Sequence, residues 1–218
     1  TLVPESKDML EGVTFADDKM ILNYMKDASS HAYVYSLDGK QLSEIKLPTL
    51  GSANFYGEKD LKEVFYSFSS FTVPTTIYQY DLSTANSKVY AAPKVKFKES
   101  DYVCEQVFYP SKDGTKIPLF ITYKKGLKRN GKNPVFLYGY GGFNVPLTPY
   151  FSSVRIPFIE NGGIYAQASL RGGSEYGEEW HIAGTKMQKQ NVFDDFISAG
   201  EWLIENKYTS KDYLAIVG

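Results

Sequence analysis

The sequence predicts an all-β region over residues 1–98 joined to an α/β region over residues 99–218, the second built on a mostly parallel sheet. Three observations carry this reading. Short runs in the first region alternate apolar and polar residues with the period of two that a half-buried strand requires. Two of these runs recur about 45 positions apart. Beyond residue 133 the alternation gives way to runs that are apolar throughout, with one segment of helical periodicity among them. Aromatic residues make up 16% of the chain, with 18 Tyr and 14 Phe, which suits pleated surfaces better than a helical bundle.

In the first region the strand segments include Lys19–Met25, Ala32–Leu37, Glu63–Phe68 and Thr76–Leu82. Asp38-Gly39 marks a hairpin, because the tightest two-residue turns need positive φ and Asp-Gly supplies it. Tyr33-Val34-Tyr35-Ser36-Leu37 aligns with Tyr78-Gln79-Tyr80-Asp81-Leu82 at an offset of 45, and the preceding strands align Lys19 with Lys62 at an offset of 43. A repeat of that length holding several short strands is the signature of propeller blades. A β-sandwich with chance internal similarity is the other reading. The basic and polar stretch from Pro93 to Asp101 marks a domain boundary, placed at 98/99.

In the second region Tyr102–Tyr109 and Lys116–Tyr123 form a hairpin across Ser111-Lys112-Asp113-Gly114. Pro134–Tyr138 and Gly163–Ala168 are apolar runs of strand length, as expected for strands covered on both faces. Phe193, Phe196, Ile197, Gly200, Leu203 and Ile204 then fall at helical spacing, predicting an amphipathic helix over Val192–Ile204. Tyr213–Val217 follows as a further strand. Strands separated by such a helix pair in parallel.

Bulk properties exclude several classes. A net charge of −1 offers no field for nucleic acid or an anionic membrane surface. One cysteine, Cys104, precludes an intrachain disulfide framework. No apolar stretch approaches the ~20 residues of a membrane span. The start, Thr1-Leu2-Val3-Pro4, carries neither an initiator Met nor a signal-like apolar core, and Leu214-Ala215-Ile216-Val217-Gly218 reads as a strand entering a turn, so a piece of a longer polypeptide is expected.

The segment that carries chemistry is Tyr138-Gly139-Tyr140-Gly141-Gly142-Phe143-Asn144. A glycine-rich loop directly after a buried strand is where α/β-hydrolases set the donors of an oxyanion hole. In acyl transfer, charge grows on the carbonyl oxygen, and each preplaced donor is worth about 3 kcal/mol. Glycines let the backbone approach closely, and a tyrosine hydroxyl supplies a side-chain donor. The alternative is a plain strand-to-loop turn with core aromatics.

Other candidates read as structural. Arg171-Gly172-Gly173-Ser174-Glu175-Tyr176-Gly177 nearly spells the G-x-S-x-G nucleophile elbow, but its second glycine comes late and no helix starts at the serine. Ser174 is therefore not expected to be a nucleophile, and Arg171 reads as a salt-bridging loop anchor. His31 is expected in a solvated hairpin turn, and His181 as a satisfied structural imidazole; neither has metal-ligand spacing with carboxylates or Cys104. Asp194-Asp195 fits a helix start, where acids favour the helix dipole. Cys104 lies in a strand pattern with no histidine near it in sequence.

From Tyr102 onward the chain closely resembles the prolyl oligopeptidase family of serine peptidases within the α/β-hydrolases. The resemblance rests on Phe108-Tyr109-Pro110-Ser111-Lys112-Asp113-Gly114-Thr115-Lys116-Ile117-Pro118, on the Tyr138–Asn144 loop, on Arg171-Gly172-Gly173 with Glu175-Tyr176-Gly177, and on Lys189-Gln190-Asn191 with Phe193-Asp194-Asp195-Phe196. It implies that residues 1–98 are the closing blades of a seven-bladed β-propeller and residues 99–218 the first part of an α/β-hydrolase domain. It implies that the hydroxyl of Tyr140 helps form the oxyanion hole and that Phe143 lines the substrate pocket. Gly218 would open the nucleophile elbow, so the Ser, Asp and His of the triad would lie outside the chain, which alone would be inactive. The implied parent is an endopeptidase cutting short peptides after proline, with no metal or organic cofactor, no nucleic-acid or membrane partner, monomeric, and cytoplasmic or periplasmic. A related peptidase of other specificity, an esterase or a non-catalytic binding module remains the alternative.

Overall fold

The computed structural model describes residues 1–218 and divides into two compact units. One comprises Thr1–Val95 with Thr148–Phe151, the other Lys96–Leu147 with Ser152–Gly218.

The first unit contains two four-stranded antiparallel sheets, each taken in sequence order: β1 (Met9–Ala16), β2 (Lys19–Lys26), β3 (Ser29–Ser36), β4 (Gln41–Ile45), then β5 (Ser52–Tyr56), β6 (Glu63–Ser69), β7 (Thr76–Asp81), β8 (Asn86–Ala91). Two successive up-and-down four-stranded sheets are the form of propeller blades. The repeat maps onto them strand for strand, since Tyr33–Ser36 and Tyr78–Asp81 lie on the third strand of each sheet. The hairpin at Asp38-Gly39 forms as expected, with Gly39 at φ +87° and its N–H donating to Ser36 O at 3.0 Å. His31 departs from expectation. The turn is Asp27-Ala28, both at positive φ, and His31 sits half-buried on β3 opposite Tyr24. The blade core joins Ile21, Val34 and Ile45 to Val64, Tyr66, Phe68 and Tyr80, with Tyr66 and Tyr78 stacked at 5.0 Å. Thr148–Phe151 belongs to this unit: Ser52 Oγ donates to Pro149 O at 2.8 Å, and Phe151 N–H donates to Ser69 Oγ at 3.0 Å.

The second unit is a five-stranded sheet in the order β13-β11-β12-β10-β9, from β9 (Tyr102–Pro110), β10 (Lys116–Lys124), β11 (Val135–Gly139), β12 (Ile164–Ala168) and β13 (Leu214–Val217). β11 pairs in parallel with β12 and β13, the strands reached through helical crossovers. β10 joins β12 antiparallel and carries β9 as a hairpin, so the sheet is mixed. Helices α1 (Ile156–Glu160), α2 (Glu178–Ile182) and α3 (Gln190–Glu205) fill the crossovers. β12 is buried at every position, and the core gathers Ile117, Leu119, Leu137, Ile164, Ala199 and Leu203. No helix is long and apolar enough to cross a membrane.

The buried face of α3 differs from the apolar stripe read in the sequence. Val192, Asp195, Ala199, Gly200 and Leu203 are buried, whereas Phe193 and Ile197 are 54% and 56% exposed. Two residues set the rotation. Asp195 is drawn inward by a cation, and Gly200 lets the side chains of Leu214 and Leu137 approach the helix backbone.

Candidate active site

β11 delivers the glycine-rich loop to the carboxyl end of the parallel strands, the side of an α/β sheet where ligands bind. Tyr138 pairs with Val217, and a Cβ added at Gly218 would stand 2.7 Å from Gly139 O, so the loop starts beside the end of β13. Tyr140 follows at 42% exposure and Phe143 at 85%, their rings 6.4 Å apart and inclined by 31°. Gly141, Phe143 and Asn144 all take positive φ, at +60°, +55° and +58°. For Gly141 this is strain-free; for Phe143 and Asn144 it is a conformation the surroundings must hold.

Those surroundings are the turn Leu170–Gly173 and the start of α3. A Cβ at Gly141 would collide with the Val192 side chain and lie 2.8 Å from Arg171 O; one at Gly172 would lie 2.5 Å from Gly141 O. Two backbones therefore touch where only glycines permit it. The contact is pinned by hydrogen bonds: Asn144 N–H donates to Gly172 O at 3.1 Å, and Lys189 Nζ donates to Gly141 O at 2.6 Å. The turn is tied in its own right to α2: Trp180 Nε1–H donates to Leu170 O (3.1 Å), Gly172 N–H donates to Trp180 O (2.9 Å), and His181 Nδ1 lies 2.9 Å from Gly172 O. His181 is thus a satisfied structural imidazole.

Beneath the turn sits a buried ionic cluster. The Arg171 guanidinium, 5% exposed, donates to Asp195 (Nη2 to Oδ1, 2.6 Å) and to Asp113 (Nη1 to Oδ2, 2.6 Å). Ser111 Oγ donates to Asp195 Oδ1 at 2.6 Å, and Arg171 N–H donates to Asp195 Oδ2 at 3.1 Å. Burial works against the guanidinium, but Asp195 and Asp113 hold its proton above the usual arginine range. The hydrogen bond from Arg171 holds the Asp113 carboxyl down at about 2. Asp195 corrects the sequence reading. It lies beyond the first turn of α3 and is fully buried, so it is the counter-ion that orients Arg171 rather than a complement to the helix dipole.

A second carboxyl escaped the sequence reading. Glu175 is 1% exposed; its Oε1 accepts Leu147 N–H at 2.9 Å, while its Oε2 is buried with no hydrogen-bond partner. Burial pushes its carboxyl up to about 7, against the lowering effect of Leu147 N–H and its own backbone N–H. The signal for Asp195 and Glu175 was present: both lie inside the stretches that carried the family resemblance, yet neither had an exposed role to fill. Cys104 is a desolvated thiol, pushed up to about 11 by burial, with no thiolate for nucleophilic work at neutral pH. Ser174 is 6% exposed in the turn below α2, unlike a serine raised on an elbow.

A blade-forming β unit together with an α/β sheet bearing a strained glycine-rich loop at its carboxyl end defines a propeller-bearing α/β-hydrolase. Comparison with known proteins makes this specific. The family model described as prolyl oligopeptidase, N-terminal beta-propeller domain, matches residues 1–93, and that of the prolyl oligopeptidase family matches residues 149–218. The chain belongs to the prolyl oligopeptidase family. A prolyl endopeptidase of Elizabethkingia meningoseptica is 53% identical over the whole chain, which covers 31% of that protein. A structure from a study of two prolyl endopeptidases superposes with a TM-score of 0.92 at 46% identity, over 99% of this chain and 32% of that one. Prolyl oligopeptidase B from Galerina marginata, bound to a 25mer macrocyclization substrate, superposes with a TM-score of 0.92 at 36% identity, over 99% of this chain and 31% of that one. The chain thus spans about a third of the length of the relatives it matches.

Proposed function

We propose that the complete protein to which this chain contributes is a serine endopeptidase that hydrolyses short peptides on the carboxyl side of proline. The observation that carries this is the partly exposed phenol of Tyr140, next to Gly139 at the carboxyl end of β11 and hence beside the end of β13. The names of the relatives this chain matches point the same way, and peptide as the substrate class is supported by the relative whose structure is bound to a 25mer macrocyclization substrate.

In this reading a serine beyond Gly218, activated by histidine and aspartate, attacks the carbonyl carbon. The C–O bond forms as the carbonyl electrons move to oxygen, and the Tyr140 hydroxyl and a backbone N–H donate to that oxyanion. Phe143, 85% exposed, lines the substrate subsite, and its tilted ring contact with Tyr140 links substrate position to the donor. Residues 1–98 are the propeller portion that restricts access to short peptides, and residues 99–218 the opening part of the peptidase domain. The chemistry requires neither a metal nor an organic cofactor, because triad and oxyanion donors suffice. The protein acts as a monomer in the cytoplasm or periplasm.

The test uses the complete protein with a chromogenic peptide bearing proline before the leaving group, and its alanine analogue as control. Cleavage of the proline peptide alone is expected, with Tyr140→Phe lowering kcat about 10–1000-fold and KM changing far less. Equal kcat in the variant removes Tyr140 from the mechanism, and cleavage of an ester but no proline peptide overturns the substrate class.

A further inference from the structure

We propose that Glu175 is a positioning residue for the loop that bears Tyr140 and Phe143, and that its hold weakens when the carboxyl ionises. The inference deepens the proposed peptidase reading and rests on it for its effect on turnover, though not for its effect on the loop.

The geometry is that of a clamp. Phe143 and Asn144 are held at positive φ, and the stretch from Asn144 to Leu147 is tied at both ends to residues 170–175. At the near end Asn144 N–H donates to Gly172 O. At the far end Leu147 N–H donates to Glu175 Oε1 at 2.9 Å, three residues past Gly172. Gly173 stands between: a Cβ there would meet Glu175 Oε2 and lie 2.8 Å from Val145 O, so the carboxyl and the loop backbone close on Gly173 from both sides. Remove the Leu147 anchor, and the left-handed residues keep the turn bond from Val145 N–H to Gly142 O (3.1 Å) and the bond from Asn144 N–H to Gly172 O, but lose the tie that fixes the chain leaving them.

The protonation state follows from the surroundings. No cation serves Glu175. Arg171, on its own turn, is committed to Asp195 and Asp113; Lys189, ahead of α3, to Gly141 O; His181, on α2, to Gly172 O. Lys112 lies near Asp194 instead, and the α2 acids Glu178 and Glu179 could only add repulsion. A charge spread onto the orphaned Oε2 has no donor, and an unpaired buried charge is expelled or neutralised. As the neutral acid, Oε1 keeps Leu147 N–H while Oε2 carries the proton. The sign is that of a carboxyl raised above its unfolded value: its favourable contribution is complete below the unfolded range and is lost as pH climbs through about 7. Above that, the side chain gains by moving toward water and releasing Leu147.

Two readouts test this in the complete protein. Glu175→Gln is the fixed neutral mimic. Hydrogen exchange of the peptide containing Leu147, corrected for intrinsic rate, should lose protection several-fold between pD 6 and pD 8.5 in the unsubstituted protein and stay level in Glu175→Gln. The ratio of kcat/KM, Glu175→Gln over unsubstituted, should rise from near one at pH 5.5 to about three or more at pH 8.5, carried by kcat. Level protection in both proteins, or a ratio independent of pH, overturns the proposal. Exchange that behaves as stated in a protein that cleaves no proline peptide keeps the clamp and discards the peptidase reading.

Discussion

At the scale of single residues, the loop after β11 shows how an omitted side chain lets two backbones meet. Gly141 and Gly142 are adjacent in sequence and different in cause. Gly141 is at φ +60°, and a Cβ there would strike Val192 and crowd Arg171 O at 2.8 Å; at Gly142 the nearest atom is Lys189 Nζ, 3.7 Å away. Gly141→Ala must therefore bear left-handed strain and a steric clash with backbone, together on the order of 2 kcal/mol or more. Gly142→Ala meets nothing comparable and should fall within about 0.5 kcal/mol of the unsubstituted protein. Thermal unfolding of the two variants measures the difference: Gly141→Ala should melt several degrees lower and Gly142→Ala almost unchanged. Equal melting temperatures would mean that the loop does not rest on the Leu170–Gly173 turn. The glycine density was visible in the sequence because backbone permissiveness belongs to the residue itself. Which glycine bears the contact was not, since Val192 and Arg171 lie 51 and 30 positions further on.

At the scale of elements, what was legible depended on how local the cause was. The β3–β4 and β9–β10 hairpins follow from Asp-Gly turns flanked by alternation, and both form. β1 and β8, at the sheet edges, did not stand out: β8 is exposed at all six positions and β1 at five of eight, so neither has a continuous buried face to impose a regular apolar alternation. The face of α3 was misjudged for an electrostatic reason. A stripe of apolar residues assumes that carboxylates point outward, and Asp195 points in, toward Arg171 24 positions earlier and Ser111 84 positions earlier. That cluster predicts an asymmetry. Asp195→Ala leaves a guanidinium buried without its main partner and should destabilise by about 3–5 kcal/mol, whereas Asp113→Ala, at a carboxylate whose side chain is 47% exposed, should cost under about 1 kcal/mol. Asp113 also sets an acid limb. Its carboxyl is held at about 2, so its contribution is whole above the unfolded carboxylate range and fades as pH falls toward that value. Denaturant midpoints of the two variants at pH 7 and pH 3 test both statements; an Asp113→Ala loss as large as that of Asp195→Ala would show that Arg171 is held from the solvent side.

At the scale of the whole molecule, the surface of the α/β unit bears apolar groups that water does not favour. β13 is an edge strand paired only with β11, and Ile216 and Val217 on it are 61% and 45% exposed. On α3, Phe193 and Ile197 are more than half exposed, and Met187, just before it, is 96% exposed. An unpaired edge with exposed β-branched residues is a template for association, and clustered apolar surface adds to it. The relatives this chain matches are about three times its length, with the chain covering 31% of the first of them. The 218-residue chain by itself should therefore self-associate at micromolar concentration and bind a hydrophobic dye, while failing to cleave the proline peptide proposed as the substrate of the complete protein. Sedimentation velocity and the peptide assay, run side by side on the two, read both halves of the expectation. In the proposed reading, exposed apolar area and absent activity share one physical origin: the edge strand that exposes Ile216 is the strand after which the nucleophile is proposed to lie. A monomeric 218-residue chain that hydrolyses the peptide would break that link, because the attacking group would then have to come from residues such as Ser174 or Cys104, which the fold keeps buried or desolvated.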